Sequence, residues 1–121
     1  MITIEETSFG KIKINGKIYK HDVYILPGGK IEKRQKHLSK KIYGHTCLGR
    51  KELEYILGSK PDVLIIGKGQ MGVLPYSNET KKILAELKIP VIEGKTPEII
   101  SKLNEKLKSD EKVAAILHLT C

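Results

Sequence analysis

Residues 62–72 read DVLIIGKGQMG: a four-residue apolar run, Val63 to Ile66, and then glycines at 67, 69 and 72. The spelling G-x-G-x-x-G directly after a strand is that of a dinucleotide-binding turn, whose chemistry needs a helix that begins inside the glycines and an acid at the end of the next strand. The acid is present, because Glu93 ends the segment KIPVIE, 21 residues after Gly72. The helix is not. Pro75 stands three residues past the last glycine, and a proline there would clash with the carbonyl four residues back, that of Met71, if a helix ran through it. The helix is therefore expected to start near Ser77, leaving residues 67–74 as an extended loop with no helix N-terminus to hold a pyrophosphate. The glycines then read as a strand exit that needs positive φ or close backbone approach, with Lys68 between two of them able to meet an anion.

Working outward from this stretch, SNETKKILAELK places Ile83, Leu84 and Leu87 on one face of a helix capped by Ser77. KIPVIE follows as a strand, and Thr96-Pro97 begins a further helix with a capping hydroxyl and a proline in its first turn. Ile99, Ile100, Leu103 and Leu107 form its apolar stripe, and VAAILHL closes as a strand buried on both faces. The second half thus spells β-α-β-α-β. Upstream of residue 62 the pattern changes. Ile12, Ile14 and Ile18 alternate around Asn15-Gly16, the dipeptide suited to a type I′ hairpin turn. A strand runs from about His21 to Leu26, Pro27-Gly28-Gly29 reverses it, and KIEKRQ supplies a short edge strand. RKELEYIL carries Leu53, Ile56 and Leu57 at helical spacing and is stopped by Gly58-Ser59-Lys60-Pro61. The expected fold is α/β: residues 1–121 form one three-layer domain, an antiparallel meander followed by β-α-β-α-β with a mixed central sheet in which the strand from residue 62 is central.

A length of 121 residues with 40% apolar and 30% charged composition fits one soluble domain. No apolar stretch approaches the roughly 20 residues of a membrane span, and the N-terminal MITIEETSFG lacks a signal layout. Cys47 and Cys121 form no C-x-x-C pair, which suits free thiols in a reducing cytoplasm. The net charge is +8, and between residues 30 and 51 eight Lys and Arg face one acid, Glu32. Such a run reads either as a footprint for phosphate-bearing partners or as a solvated lysine-rich loop. Tyr43 alone offers base stacking within it, so nucleic acid is the less favoured partner.

Ser8-Phe9-Gly10 before the hairpin, Pro27-Gly28-Gly29, Gly67-Lys68-Gly69 and the closing His118-Leu119-Thr120-Cys121 together resemble the adipogenesis-associated Mth-domain family, over nearly the whole chain. The family has small stand-alone archaeal and bacterial members and is related to a mitochondrial complex I assembly factor. The resemblance implies a three-layer α/β fold with a mixed sheet and a β-hairpin layer, roles in assembly or regulation, and no catalytic residue to transfer. The chain departs from the family's pattern in having no tryptophan.

Three constellations bear on chemistry. His45-x-Cys47 and His118-x-x-Cys121 hold two histidines and two thiols, but without finger-like spacing they point to packing rather than zinc. Cys47 beside His45 could in principle form a thiol and base pair. Glu52 and Glu54 read as a solvated helix surface. The reading is a non-catalytic cytoplasmic domain that binds a protein partner, with no cofactor and no metal, and with room for a small anionic ligand in a cleft beside the Gly67–Gly72 loop. Strand carboxyl ends are where open α/β sheets bind ligands, which selects Gly67, Lys68 and Gly69, then Ser77 at a helix start, and His45 and Arg50 before the first helix. The alternatives are an enzyme or phosphate binder using the Lys68 and Cys47 region, and a basic nucleic-acid binder.

Overall fold

A computed structural model describes all 121 residues. Strands β1 (Ile4–Ser8), β2 (Lys11–Ile14) and β3 (Lys17–Tyr19) form the expected antiparallel meander. The β2–β3 turn sets Asn15 at φ 49° and Gly16 at φ 79°, the left-handed pair that a type I′ turn requires. β4 (Val23–Leu26) and β5 (Lys30–Lys33) form the next hairpin, and β6 (Lys41–Ile42) and β7 (His45–Thr46) make a small separate one that the basic stretch did not announce. Helix α1 (Arg50–Leu57), β8 (Val63–Lys68), α2 (Asn78–Glu86), β9 (Val91–Gly94), α3 (Thr96–Leu107) and β10 (Val113–His118) complete the alternation.

The main sheet has the order β5-β4-β10-β8-β9, with β10 parallel to β8, β8 parallel to β9, β4 antiparallel to β10 and β5 antiparallel to β4. One face packs Leu64, Ile66 and Ile116 against Leu53 and Ile56 of α1 and the partly buried Ile83 and Leu84 of α2. The other packs Ile65, Ala115 and Leu117 against Ile99 and Leu103 of α3 and against Ile4, Ile12 and Ile14 of the meander. The result is three layers, as the alternation implied. Asn104 of α3 closes the free edge of β1: its side-chain oxygen accepts from the Ile4 amide and its nitrogen donates to the Ile4 carbonyl, both at 2.8 Å, which occupies groups that could otherwise recruit another strand. No helix is long and apolar enough to cross a membrane.

Four local expectations are corrected. The central strand is β10, not the strand after residue 62; both are uninterrupted apolar runs paired on both sides, and only the addition of the β4–β5 hairpin beyond β10 puts β10 third of the five strands. The strand expected from His21 begins at Val23, because Asp22 turns its carboxylate onto the backbone and side chain of the segment closing β10. Thr96 is not the cap of α3: Lys95 is the N-cap residue, and the Thr96 hydroxyl instead donates to the His118 carbonyl at 2.6 Å. At the end of α1, Gly58 stays right-handed at φ −61° and Lys60 takes the left-handed turn at φ 56°.

Candidate functional site

The carboxyl ends of β8 and β10, the start of β4 and the residue after β5 meet along one rim of the sheet. On the α1 side of that rim ionisable side chains stand in a row, the opposite of the apolar register behind them. His118 is paired in register with Lys68. His118 Nδ1 lies 2.7 Å from Asp22 Oδ2, and Asp22 Oδ2 also accepts from Arg34 NH1 at 3.0 Å. Arg34 then grips Glu52 of α1 with two nitrogens, Nε to Oε2 at 2.8 Å and NH2 to Oε1 at 3.0 Å.

Every group in this network is buried: Asp22 and Arg34 are 4% exposed, Glu52 0% and His118 6%. Charges survive such burial only when paired and hydrogen-bonded, and here the donors and acceptors close on one another. Arg34 NH2 also donates to the Cys47 carbonyl at 2.8 Å, and Tyr24 donates to Glu52 Oε2. Ser39 donates to Glu52 Oε1 at 2.7 Å while its oxygen accepts from the Gly49 amide at 3.0 Å. Gly49 is the N-cap residue of α1 and has no side chain to cap with, so Glu52, three residues on, reaches back to it through Ser39, a capping box with a serine inserted. Burial acts to raise the Asp22 pKa, but the hydrogen bond and charge of His118, the Leu119 amide and Arg34 outweigh it and hold the carboxyl at about 2. Burial followed by Glu52 drives the Tyr24 phenol well above its ordinary range. The expectation of a solvated Glu52 is therefore corrected: only Glu54 of that pair lies on the helix surface, because Glu52 occupies the inward face of α1.

The six residues selected from the sequence lie on β7, α1, β8, the loop after β8 and the N-cap of α2. Gly67, Lys68 and Gly69 sit together at the end of β8. A Cβ on Gly67 would lie 2.8 Å from Thr96 Oγ1, so this glycine serves close packing. Gly69, at φ +101°, donates its amide to Thr96 Oγ1 at 2.9 Å. The next amides are also committed: Gln70 donates to Thr120 O, and Met71 and Val73 both donate to Cys121 O. The amides of Gln70, Met71 and Val73 are thus occupied by the segment following β10, and that of Gly69 by Thr96. Lys68 Nζ lies 4.8 Å from the centroid of the Tyr76 ring and 3.9 Å from Glu93. Ser77 caps α2 as expected, accepting from the Thr80 amide at 3.1 Å. Arg50 bonds Glu54 and Glu79 on the surface of α1 and α2, and His45 stands half-buried on β7. Cys47 is 1% exposed, away from any solvent-borne substrate. No group of three or more His, Cys, Asp or Glu side chains is placed to hold a metal ion.

Outside the sealed network lies an open cleft of about 430 Å³, bounded by Lys20, His21, Lys33, Lys36 and Thr120, with Asp22 and Arg34 at its floor. Lys33 and Lys36 belong to the basic stretch; Lys20 comes from the end of the meander. The sequence carried one hint of the buried network, Asp22 placed at the threshold of an apolar strand. Nothing distinguished Arg34 from the lysines around it.

The matching family model, described as protein of unknown function (DUF498/DUF598), covers residues 4–118. A conserved hypothetical protein from Pyrococcus horikoshii is 42% identical, with 98% of this chain and 99% of that chain covered and a TM-score of 0.82. The solved structure of MT938 is 29% identical, with both chains covered in full and a TM-score of 0.82. A Mth938-like domain from Bordetella pertussis, 16% identical over 97% of this chain and 85% of that one, shares the fold at a TM-score of 0.60. No functionally curated protein matches the sequence. With the family model matched over residues 4–118 and the fold shared with these structures, the chain belongs to the DUF498/DUF598 family of Mth938-like α/β domains.

Proposed function

We propose that this chain is a non-catalytic protein-interaction domain with an assembly or regulatory role, and that it meets its partner at the carboxyl end of the main sheet. The observation that carries this reading is the exposure of Phe9, Met71 and Val73, at 62%, 66% and 42%, on two loops that bracket residues 119–121. The β1–β2 turn is tied there by the Gly10 amide to Leu119 O at 2.8 Å, and the glycine loop by Met71 and Val73 to Cys121 O. Gln70 Nε2 donates to Thr7 Oγ1 at 3.1 Å and links the loops directly. Apolar anchors presented on fixed backbone lose little freedom on binding, and aromatic and methionine side chains are enriched at interfaces. The Gly67–Lys68–Gly69 turn serves as the brace of this surface. With Lys20, Lys33 and Lys36 close by, the fitting partner is a protein segment that seats an apolar side chain and carries acidic residues beside it.

The test compares proteins retained from native extract by wild type, Phe9→Asp and Met71→Asp, with unfolding curves to verify the fold. A partner held by wild type and lost by both variants at unchanged stability supports the reading; a set of bound proteins indifferent to both substitutions overturns it.

A second, catalytic reading rests on a different observation. Asp22, His118 and Thr120 form a carboxylate–imidazole–hydroxyl series, with His118 Nε2 3.4 Å from Thr120 Oγ1. In this reading the hydroxyl gives its proton to Nε2 as its oxygen attacks an ester carbonyl carbon, the C–O bond to the alcohol breaks and the alcohol leaves with that proton. Water activated by Nε2 then releases the acid from the Thr120 ester, and Asp22 orients the ring. Ester hydrolysis abolished by Thr120→Ala and restored by Thr120→Ser would favour it over the binding reading.

A further inference from the structure

We propose that the cleft between β5, the end of β3 and the segment after β10 is a binding site for a small phosphate monoester. Several cations of this domain are already neutralised. Within the basic stretch, Lys30 pairs with Glu32 at 2.7 Å, Arg34 with Asp22 and Glu52, and Arg50 with Glu54 and Glu79. Lys33 and Lys36 have no carboxylate partner, and neither has Lys20, yet these three line one cleft.

The single carboxylate in the lining cannot quench them. Asp22 Oδ1 accepts from the Leu119 amide at 2.8 Å, and Oδ2 is shared between His118 and Arg34. Both oxygens of that carboxylate are thus engaged from within the fold, and the charge at the mouth of the cleft is set by Lys20, Lys33 and Lys36. Three like charges gathered at one opening repel, and a bound anion relieves the repulsion.

The backbone under these cations is ordered by the fold. Lys33 ends β5 in register with Val23, the next amide, Arg34 N, donates to Asp22 O at 2.9 Å, and Lys36 opens the short 3-10 turn Lys36–Leu38. A compact anion is thereby met from three separate segments. The volume, about 430 Å³, falls within the range of small-ligand sites and exceeds what a bare phosphate fills. The remaining lining supplies the Thr120 hydroxyl and the His21 ring, with Leu119 as its one large apolar side chain. This is a setting for a hydroxylated ligand such as a sugar phosphate. No tyrosine or phenylalanine lines the cleft to stack a base, which argues against a nucleic-acid strand.

The experiment is a titration of the full chain at constant ionic strength, followed by backbone amide chemical shifts, with ribose 5-phosphate, ribose, inorganic phosphate, a short oligonucleotide and a phosphoserine peptide. The proposal expects saturable shifts for ribose 5-phosphate at Lys20, His21, Lys33, Lys36 and Thr120, silence with ribose, and weaker binding of inorganic phosphate. Lys33→Gln with Lys36→Gln should weaken the ester about tenfold, while Lys40→Gln with Lys41→Gln, outside the cleft, should leave it unchanged. No saturation at millimolar ester, equal loss in both double variants, or binding confined to the oligonucleotide or the phosphopeptide would each overturn it. The same lysines would also face an acidic partner, but Phe9 and Met71 lie outside this lining, so loss of the partner in the Phe9 and Met71 variants and loss of the ester in the lysine variants are separate results.

Discussion

Lys33 and Arg34 are neighbours in the chain and have opposite environments. Arg34 is 4% exposed and hydrogen-bonds two carboxylates and a carbonyl, while Lys33 is exposed and pairs with nothing. The same contrast separates two adjoining regions: a buried network of Asp22, Arg34, Glu52, Tyr24 and His118 in which every polar group is hydrogen-bonded to another, and an open cleft whose lysines have no carboxylate partner. The sealed region joins β4, β5, α1 and β10, so its charges act on the fold. The open one adds little to the fold, and its charges remain available to a ligand.

The comparison breaks most visibly at Arg34. Arg34→Met leaves two carboxylates buried without their cation, and urea unfolding should show a loss of about 3–5 kcal/mol. Replacing Arg34 and Glu52 together by apolar residues should cost less than the single change, because neither charge is then stranded; a double variant as unstable as the single one would show that packing rather than charge holds this region. Next in size is acid unfolding. The folded Asp22 pKa of about 2 lies below the ordinary 3.8, so its ionised form stabilises the fold fully above about pH 4 and that contribution, about 2 kcal/mol, is lost as pH falls through about 2. Asp22→Asn should be less stable at neutral pH and should flatten the stability profile between these limits; a profile of unchanged slope would assign the acid sensitivity to other groups.

A change of similar or smaller size tests the brace of the glycine loop. Gly69→Ala sets a Cβ 2.5 Å from the Cys121 carbonyl carbon on a backbone at φ +101°, and thermal unfolding should register a loss of about 2 kcal/mol. The exposure of Met71 and Val73 to limited proteolysis should rise with it. The smallest effect belongs to the open cleft: Lys33→Gln or Lys36→Gln should move stability by no more than about 0.5 kcal/mol in either direction. A larger loss at either lysine would mean that the cleft charges, too, belong to the fold.

How much of this was legible beforehand differs by element. The Asn15-Gly16 turn, the Ser77 cap and the α1 span were readable because each depends on residues within a few positions of one another. The late start of α2 was readable because Pro75 forbids an earlier one. Glu52 was misread because its i, i+4 surroundings look solvated, and the helix turns it inward only when Arg34 and Ser39, from another segment, are there to receive it. The glycine loop was legible as a turn, but the occupants of its amides, residues 120 and 121, lie 50 positions away.

The two halves of the fold, the turn chemistry and the apolar faces follow from local sequence, since backbone preference and apolar period act over a few residues. Only the tertiary structure decided that β10 lies at the centre, which cations are neutralised, and what fills the loop after β8. Those outcomes rest on ion pairs and hydrogen bonds between residues far apart in the chain, of which Asp22 and His118, 96 positions apart and 2.7 Å from contact atom to contact atom, are the plainest instance. Such interactions depend on distance in space and on exclusion of water, and neither is written in the local sequence.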